Sequence, residues 1–304
     1  MTRLAAFADE IGATEPVSVA GGRTKWDLGG AVDPAARIVH APSGVVDHDP
    51  AEMIVVVGAG TPLHELDEVL AARGQMVTLD GPPGATVGGT LMSGISGLRR
   101  RTHGPVRNAL LQADYVSADG TVITAGGPTV KNVSGYDLCR LLVGSLGTIG
   151  FVGEVRLRTR PRPEVSRWCS GPARPHDVDA TVFRPAAQLW DGTTSWVLLE
   201  GYQTDVDDQA AALSGLGLGS ADGPPVLPPH RHVIDPRHID GLDGAFVAEV
   251  GVGIVHRHDS PQPRAVDPHM LELGRRVKAE FDPTGRCNPG RDPYRSAAAA
   301  VPPP

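Results

Sequence analysis

The sequence predicts an α+β chain of two domains. Three observations carry that reading. The 304 residues suffice for two domains, and 40% of them are apolar, enough for sizeable cores. The 38 glycines and 28 prolines favour many short elements joined by turns over a helical bundle. Finally, short runs of strand and helix periodicity are interleaved along the chain.

Composition also excludes some functions. The net charge of −7 argues against general nucleic-acid binding, which needs a basic surface to displace counterions. No apolar run approaches the ~20 residues that span a bilayer. The N-terminus MTRLAAFADE lacks the apolar core of a secretory signal. Cys139, Cys169 and Cys287 are far apart, so no local zinc or iron–sulfur spacing exists. Their odd number fits a reducing cytoplasm.

Taken in order, Leu4 to Ile11 reads as a short amphipathic helix and Pro16 to Ala20 as a strand. The strand runs into Gly21-Gly22-Arg23-Thr24-Lys25. Two glycines, a hydroxyl and a cation after a strand suit an anion, and equally suit an ordinary glycine turn. Ile54 to Val57 reads as a buried strand. GAGTPL follows it, without the third glycine of a Rossmann fingerprint. Thr61 reads as an N-cap with Pro62 at the first helical position. Leu63, Leu66 and Leu70 give one helix face, Gly74 its C-terminal cap, and Met76 to Leu79 a strand.

Asp80 to Asn108 then holds seven glycines and the arginines Arg99, Arg100, Arg101 and Arg107. So much glycine argues against a helix or strand there. The apolar Val87, Leu91, Met92, Ile95 and Leu98 between the glycines argue against a flexible linker. An anion cradle is the expectation. A hairpin over Leu110 to Ala125, turning at Asp119-Gly120, comes next. A short helix near Leu138 to Leu142, a glycine-rich segment at 144–150 and the strand Phe151 to Arg158 complete the first domain. Beyond Val165 the pattern weakens. Trp196 to Glu200 and Phe246 to Val255 read as strands, and Asp205 to Leu213 as a helix. Gly219 to Pro229 reads as a loop. Pro268 to Phe281 is an amphipathic helix whose stripe of Met270, Leu273, Val277 and Phe281 suits core packing. The tail 296–304 is expected to be disordered.

Five blocks stand in a recognisable order: GGRTKWDLGG, GAGTPLHEL with GQMVTLDGPP, ATVGGTLMSGISGLRRRTHGPVRN, TVKNVSGYDLCRLLVGSLGTIGFVGEVRLRTRPRP and VKAEFDPTGRCNPGR. The chain resembles the FAD-binding subunits of bacterial glycolate oxidases, in the vanillyl-alcohol oxidase/p-cresol methylhydroxylase (PCMH) flavoprotein superfamily. The resemblance covers most of residues 17–163 and 277–291. It implies a two-subdomain PCMH-type FAD-binding domain over 1–164 and a small α+β cap over 165–265. A C-terminal helix and NPGR segment, 266–295, would return to the flavin domain.

It also implies FAD; since no histidine or cysteine occurs in the first glycine loop or in Thr86–Gly97, the expected attachment is non-covalent. Gly21, Gly22, Arg23, Thr24 and Lys25 would form one diphosphate loop. Thr86, Val87, Gly88, Gly89, Ser96 and Gly97 would form the other, with Arg107 beside it. Gly147, Thr148 and Ile149 would sit near the adenosine half, and Asn132, Gly135 and Asp137 near the flavin. Arg291 would be a flavin-domain contact or a structural cation. His256 and His258 are the candidate acid–base residues for a small 2-hydroxy acid. The implied partners are a larger FAD-binding catalytic subunit and an iron–sulfur subunit. The complex would be cytoplasmic, with peripheral membrane contact only through partners. A non-catalytic scaffold subunit and a stand-alone FAD-dependent alcohol oxidoreductase are the alternatives.

Overall fold

The computed structural model describes residues 2–127, 137–261 and 266–295. The chain forms two compact units. The first comprises Met1–Gly97, Pro105–Pro161 and Arg264–Pro304, and the second Leu98–Gly104 with Arg162–Pro263.

The first unit is organised on a five-stranded antiparallel sheet. Its spatial order is Val45–Asp49, Ile54–Gly58, Phe151–Arg158, Leu110–Val116 and Val122–Gly126. Alternation sorts its faces. Val55, Val57, Ala113, Tyr115, Val155 and Leu157 point into one core with Leu66, Leu70, Val87 and Leu91. The opposite face, around Phe151, is covered by the helix Arg3–Ile11 through Phe7 and Ile11. A parallel pair, Val17–Val19 with Arg37–Val39, stands apart and feeds the first glycine loop.

Two expectations on this unit need correction. Thr61 is not the N-cap. The helix is Leu63–Ala71 with Pro62 at the cap position, while the Thr61 hydroxyl donates to Gly58 O and accepts from Gly44 N–H. The glycine-rich stretch does contain a helix, Val87–Ser93, capped by Thr86, whose hydroxyl accepts from Gly89 N–H at 3.2 Å. The cap satisfies an orphan donor and offsets part of the glycine entropy.

The C-terminal helix Pro268–Phe281 has its expected bounds. Only the lower half of its stripe packs: Val277 and Phe281 reach the core, while Met270 and Leu273 are about half exposed. After it, the buried Arg286 donates to Glu15 O, Ala118 O and Ile11 O, which fixes the final segment to this unit.

The second unit is a seven-stranded antiparallel sheet. Its order is Gly219–Ala221, Val165–Gly171, Ser195–Gly201, Ala187–Trp190, Val247–Glu249, Ile254–Arg257 and His230–Val233. The helices Pro175–Thr181 and Gln203–Ser214 cover one face through Val178, Val206 and Leu213. The single strand expected over Phe246 to Val255 is a hairpin instead. Gly251 and Gly253, at φ 75° and 77°, turn the chain between two short strands. Arg99 and Arg101 serve this unit. Arg99 pairs with Glu200 at 2.7 Å; Arg101 pairs with Asp179 at 2.6 Å and bonds Gln188. They are not a phosphate-binding run.

Candidate FAD cleft

The first unit carries an open cleft. Its wall draws on sequence-distant pieces, among them the loop Gly21–Lys25 with Trp26, the capped helix start at Thr86, Gly88 and Gly89, the segment at Leu146 and Gly147, and Asn288 with Arg291.

The glycines of the first loop are dictated by packing. A β-carbon on Gly21 would strike the Thr86 side chain, and one on Gly22 would overlap the Gly84 carbonyl. The two loops thus lie edge to edge. Arg23 sits at φ 55°, a left-handed conformation that costs a non-glycine residue about 1–2 kcal/mol. The N–H groups of Gly21, Gly22, Arg23 and Thr24 meet no acceptor among the described residues. Successive free N–H groups in such a turn form a concave nest for an anion.

The cations come from both chain ends. Arg23 and Arg291 each stack on the Trp26 ring, 4.9 Å from its centroid. Arg291 also donates to Leu28 O at 2.8 Å and to Gly30 O, so it closes the loop that follows the nest. Burial lowers the Arg291 pKa below the ordinary arginine range, and the Asp27 charge partly restores it. Asn288, at φ 44°, accepts from Val19 N–H and donates to Leu146 O. It ties the first strand to the segment ending at Gly147.

Of the residues singled out from sequence, Gly21, Gly22, Arg23, Thr24, Lys25, Thr86, Gly88, Gly89 and Gly147 line the cleft. Others lie elsewhere, each for a visible reason. Val87 is a core residue, fully buried. The Ser96 hydroxyl accepts from Val106 N–H, and Gly97 lies against Asp80. Arg107 is exposed on the turn Val106–Ala109. Thr148 and Ile149 are buried, with Thr148 bonded to Ser145 O. Asp137 caps the helix Leu138–Leu142 and pairs with Arg140. Asn132 and Gly135 lie outside the described residues. Trp26, Met92, Ser93 and Asn288 were missed. Only the NPGR sequence hinted at Asn288.

His256 and His258 belong to the second unit. His258 is exposed. His256 is buried, its Nε2 2.9 Å from Glu249 Oε1. Against a carboxylate, that nitrogen carries the hydrogen.

The PCMH-like sheet arrangement and the two-loop nest define a chain built to hold a dinucleotide cofactor. Residues 4–126 match the FAD binding domain family, and residues 237–291 match the C-terminal domain of FAD linked oxidases. The chain carries an FAD binding domain and the C-terminal domain of FAD linked oxidases, and FAD is its cofactor.

Among relatives, glycolate oxidase subunit GlcE of Escherichia coli is 36% identical over 154 residues, covering 50% of this chain and 44% of that protein. D-lactate dehydrogenase of Archaeoglobus fulgidus is 36% identical over 152 residues, 48% of this chain and 34% of that one. Glycolate oxidase subunit GlcD of Bacillus subtilis is 40% identical over 83 residues, 27% of this chain and 18% of that one. The matched part is thus less than half of each relative's length. A solved structure of alkyldihydroxyacetonephosphate synthase shares the fold, with a TM-score of 0.68 at 14% identity, covering 94% of this chain and 73% of that one.

The cleft fits FAD. The space that β-carbons at Gly21 and Gly22 would need is taken by the facing loop, which leaves bare N–H groups for diphosphate oxygens. Among the described residues no helix is long and apolar enough to cross a membrane.

Proposed function

We propose that this chain is the FAD-binding subunit of a glycolate oxidase-like 2-hydroxy-acid dehydrogenase. The observation that supports this most is the row of unbonded N–H groups from Gly21 to Thr24, lining one cleft with Thr86 and Gly89. The diphosphate of FAD would rest on that nest. Lys25, Arg23 and Arg291 would balance its two charges, and Trp26 would wall one side. Bound FAD supplies the two-electron acceptor for a hydride from the acid's α-carbon.

In the second unit, the buried Glu249–His256 pair is the candidate acceptor of the hydroxyl proton. Glu249 fixes the His256 ring through the Nε2–Oε1 contact of 2.9 Å. His258, exposed, has no such support. The relatives named as glycolate oxidase subunits favour a multi-subunit assembly. A larger flavoprotein and an iron–sulfur protein are the partners proposed for it. Cys139, Cys169 and Cys287 are each buried and widely separated, so this chain's own sequence offers no cluster spacing.

The test is to purify the chain and record its flavin absorbance, then add glycolate or D-lactate without oxygen. Bleaching of the flavin by either acid is the expected result. A yellow protein that neither acid bleaches, alone or with the proteins that co-purify with it from its native cells, rejects this function. A colourless folded protein rejects the cofactor assignment.

A further inference from the structure

The loop Leu28–Asp33 follows the nest and Trp26, and it is held from the far end of the sequence. Among the described residues, its hydrogen bonds beyond its own chain neighbours end on Pro289, Arg291 and Asp292. Asp33 N–H donates to Pro289 O at 2.9 Å, and Asp292 N–H donates to Gly29 O at 2.9 Å. Arg291 donates to Leu28 O and Gly30 O. The two segments are also pressed together. A β-carbon on Gly29 would lie 3.1 Å from Asp292 O, and one on Gly30 would lie 2.6 Å from Arg295 Nη1. A β-carbon on Gly290 would collide with Ala31 O. Side chains at these three positions would push the segments apart.

The C-terminal segment is itself fastened at both ends. At the near end, Asn288 N–H donates to Val17 O at 2.8 Å, and its side chain bonds Val19 N–H and Leu146 O. At the far end, Asp292 folds the chain into a tight turn. Its Oδ1 accepts from Tyr294 N–H at 2.8 Å, and its carbonyl accepts from Arg295 N–H at 3.1 Å. The turn lays the Tyr294 ring on the helix Pro268–Phe281 at Gly274, where a β-carbon would collide with three ring atoms. Glycine inside a helix costs about 1 kcal/mol relative to alanine, and room for this ring is what the glycine provides. Asn288 and Arg291 line the cleft, whereas Asp292, Tyr294 and Arg295 lie outside its wall.

We infer that residues 288–295 form a strap that positions the cofactor loop, and that Tyr294 seated on Gly274 is its fastening. Tyr294 is a positioning residue. It acts through Asp292 and Arg295 on Gly29 and Gly30, and through them on the neighbouring Trp26 and the nest. Unseating the ring loosens the Asp292–Gly29 bond and the Arg295–Gly30 contact, so the wall around Trp26 and Arg291 loses its outer support. Coupling between two sites is reciprocal. Whatever the strap adds to the grip on FAD, bound FAD returns as order in the strap, at residues that do not line the cleft. The inference goes beyond the proposed substrate chemistry and rests only on FAD as the cofactor.

The test compares FAD release from the loaded full chain and from three variants. Gly274→Leu displaces the ring while raising helix propensity, so a weaker helix cannot explain its effect. Tyr294→Ala removes the ring, and Tyr294→Phe keeps it. Release, followed by the return of flavin fluorescence on dilution, should be about tenfold faster in Gly274→Leu and Tyr294→Ala. Tyr294→Phe should release FAD at the wild-type rate. Thermal melts of the FAD-free proteins report folding and should match wild type. A second measurement needs no variant. Hydrogen exchange in the wild-type chain, with and without FAD, should show the Asp292 and Arg295 amides slowed about tenfold or more by the cofactor. Wild-type release rates in folded Gly274→Leu and Tyr294→Ala overturn the inference, as does exchange at 292–295 that FAD leaves unchanged. Retention of FAD by the wild-type chain is read separately, so either failure leaves the cofactor assignment standing.

Discussion

The Gly88 N–H donates to the Ala59 carbonyl at 2.7 Å, and a β-carbon at 88 would sit 2.9 Å from both that oxygen and the Ala59 β-carbon. Position 88 must therefore be glycine because the helix start is pressed against the strand-end loop at Ala59. Its N–H is already used and does not face a phosphate. Gly88→Ala is expected to destabilise the fold by about 1–3 kcal/mol through overpacking. FAD bound per folded chain should stay close to wild type. Thermal melts and flavin-to-protein ratios measure the two effects. An unchanged melt with lost flavin would return Gly88 to the phosphate contacts.

Much of the first unit was legible because its signals are local. The run at Ile54 to Val57, the turn at Asp119-Gly120 and the stripe from Pro268 to Phe281 each carry their own periodicity. The helix at Val87–Ser93 was not legible, since propensity at Gly88 and Gly89 argues against it and tertiary contact with Ala59 overrides propensity. Within the cleft, the glycine loops were visible and the partners that complete them were not. Asn288 meets Val19 across 269 residues, and Arg291 reaches Trp26 by a similar span. The second unit's sheet was hardest to read. Its strands are short, and its polar row of Arg231, Glu249 and His256 breaks the apolar alternation that marks a strand.

Arg291 holds two carbonyls with one guanidinium group while stacking on Trp26. Lysine keeps the charge but loses the planar fork and much of the stacking. Arg291→Lys is expected to weaken FAD binding by about tenfold, roughly 1.4 kcal/mol. Titration of apoprotein with FAD, followed by quenching of flavin fluorescence, reads this directly. Unchanged affinity would mean that charge alone matters at this position.

FAD should be held without a covalent bond. Among the described residues, no histidine, cysteine or tyrosine lines the cleft. Cys287, next to Asn288, is fully buried, and burial together with the Asp282 charge pushes its thiol up to about 12. It remains a thiol at neutral pH and is a poor nucleophile. Acid precipitation should therefore send all yellow colour to the supernatant. Colour retained in the washed pellet would contradict this.

Asp282 is the hinge on which the C-terminal segment hangs, and it gives the chain a specific acid sensitivity. Burial raises its pKa, but hydrogen bonds outweigh burial and hold it below the ordinary value of 3.8. Lys278 Nζ donates to its Oδ2 at 2.5 Å, while the N–H groups of Cys287 and Arg286 donate at 2.8 and 3.0 Å. Lys278 also reaches Thr148 O at 2.6 Å, so the same charge pair ties the helix end to the sheet unit. Because the folded chain favours the carboxylate, this contribution is fully present above the unfolded aspartate pKa. It is lost as pH falls through the lower folded value. Asp282→Asn should cost about 1.5–3 kcal/mol at neutral pH, the range for hydrogen bonds to a charged group. The difference from wild type should shrink from about pH 4 downward, as the wild-type carboxylate takes up its proton. Urea unfolding of both proteins at several pH values measures it. A stability gap that stays constant down to the acid limit would show that Asp282 acts through packing instead of charge.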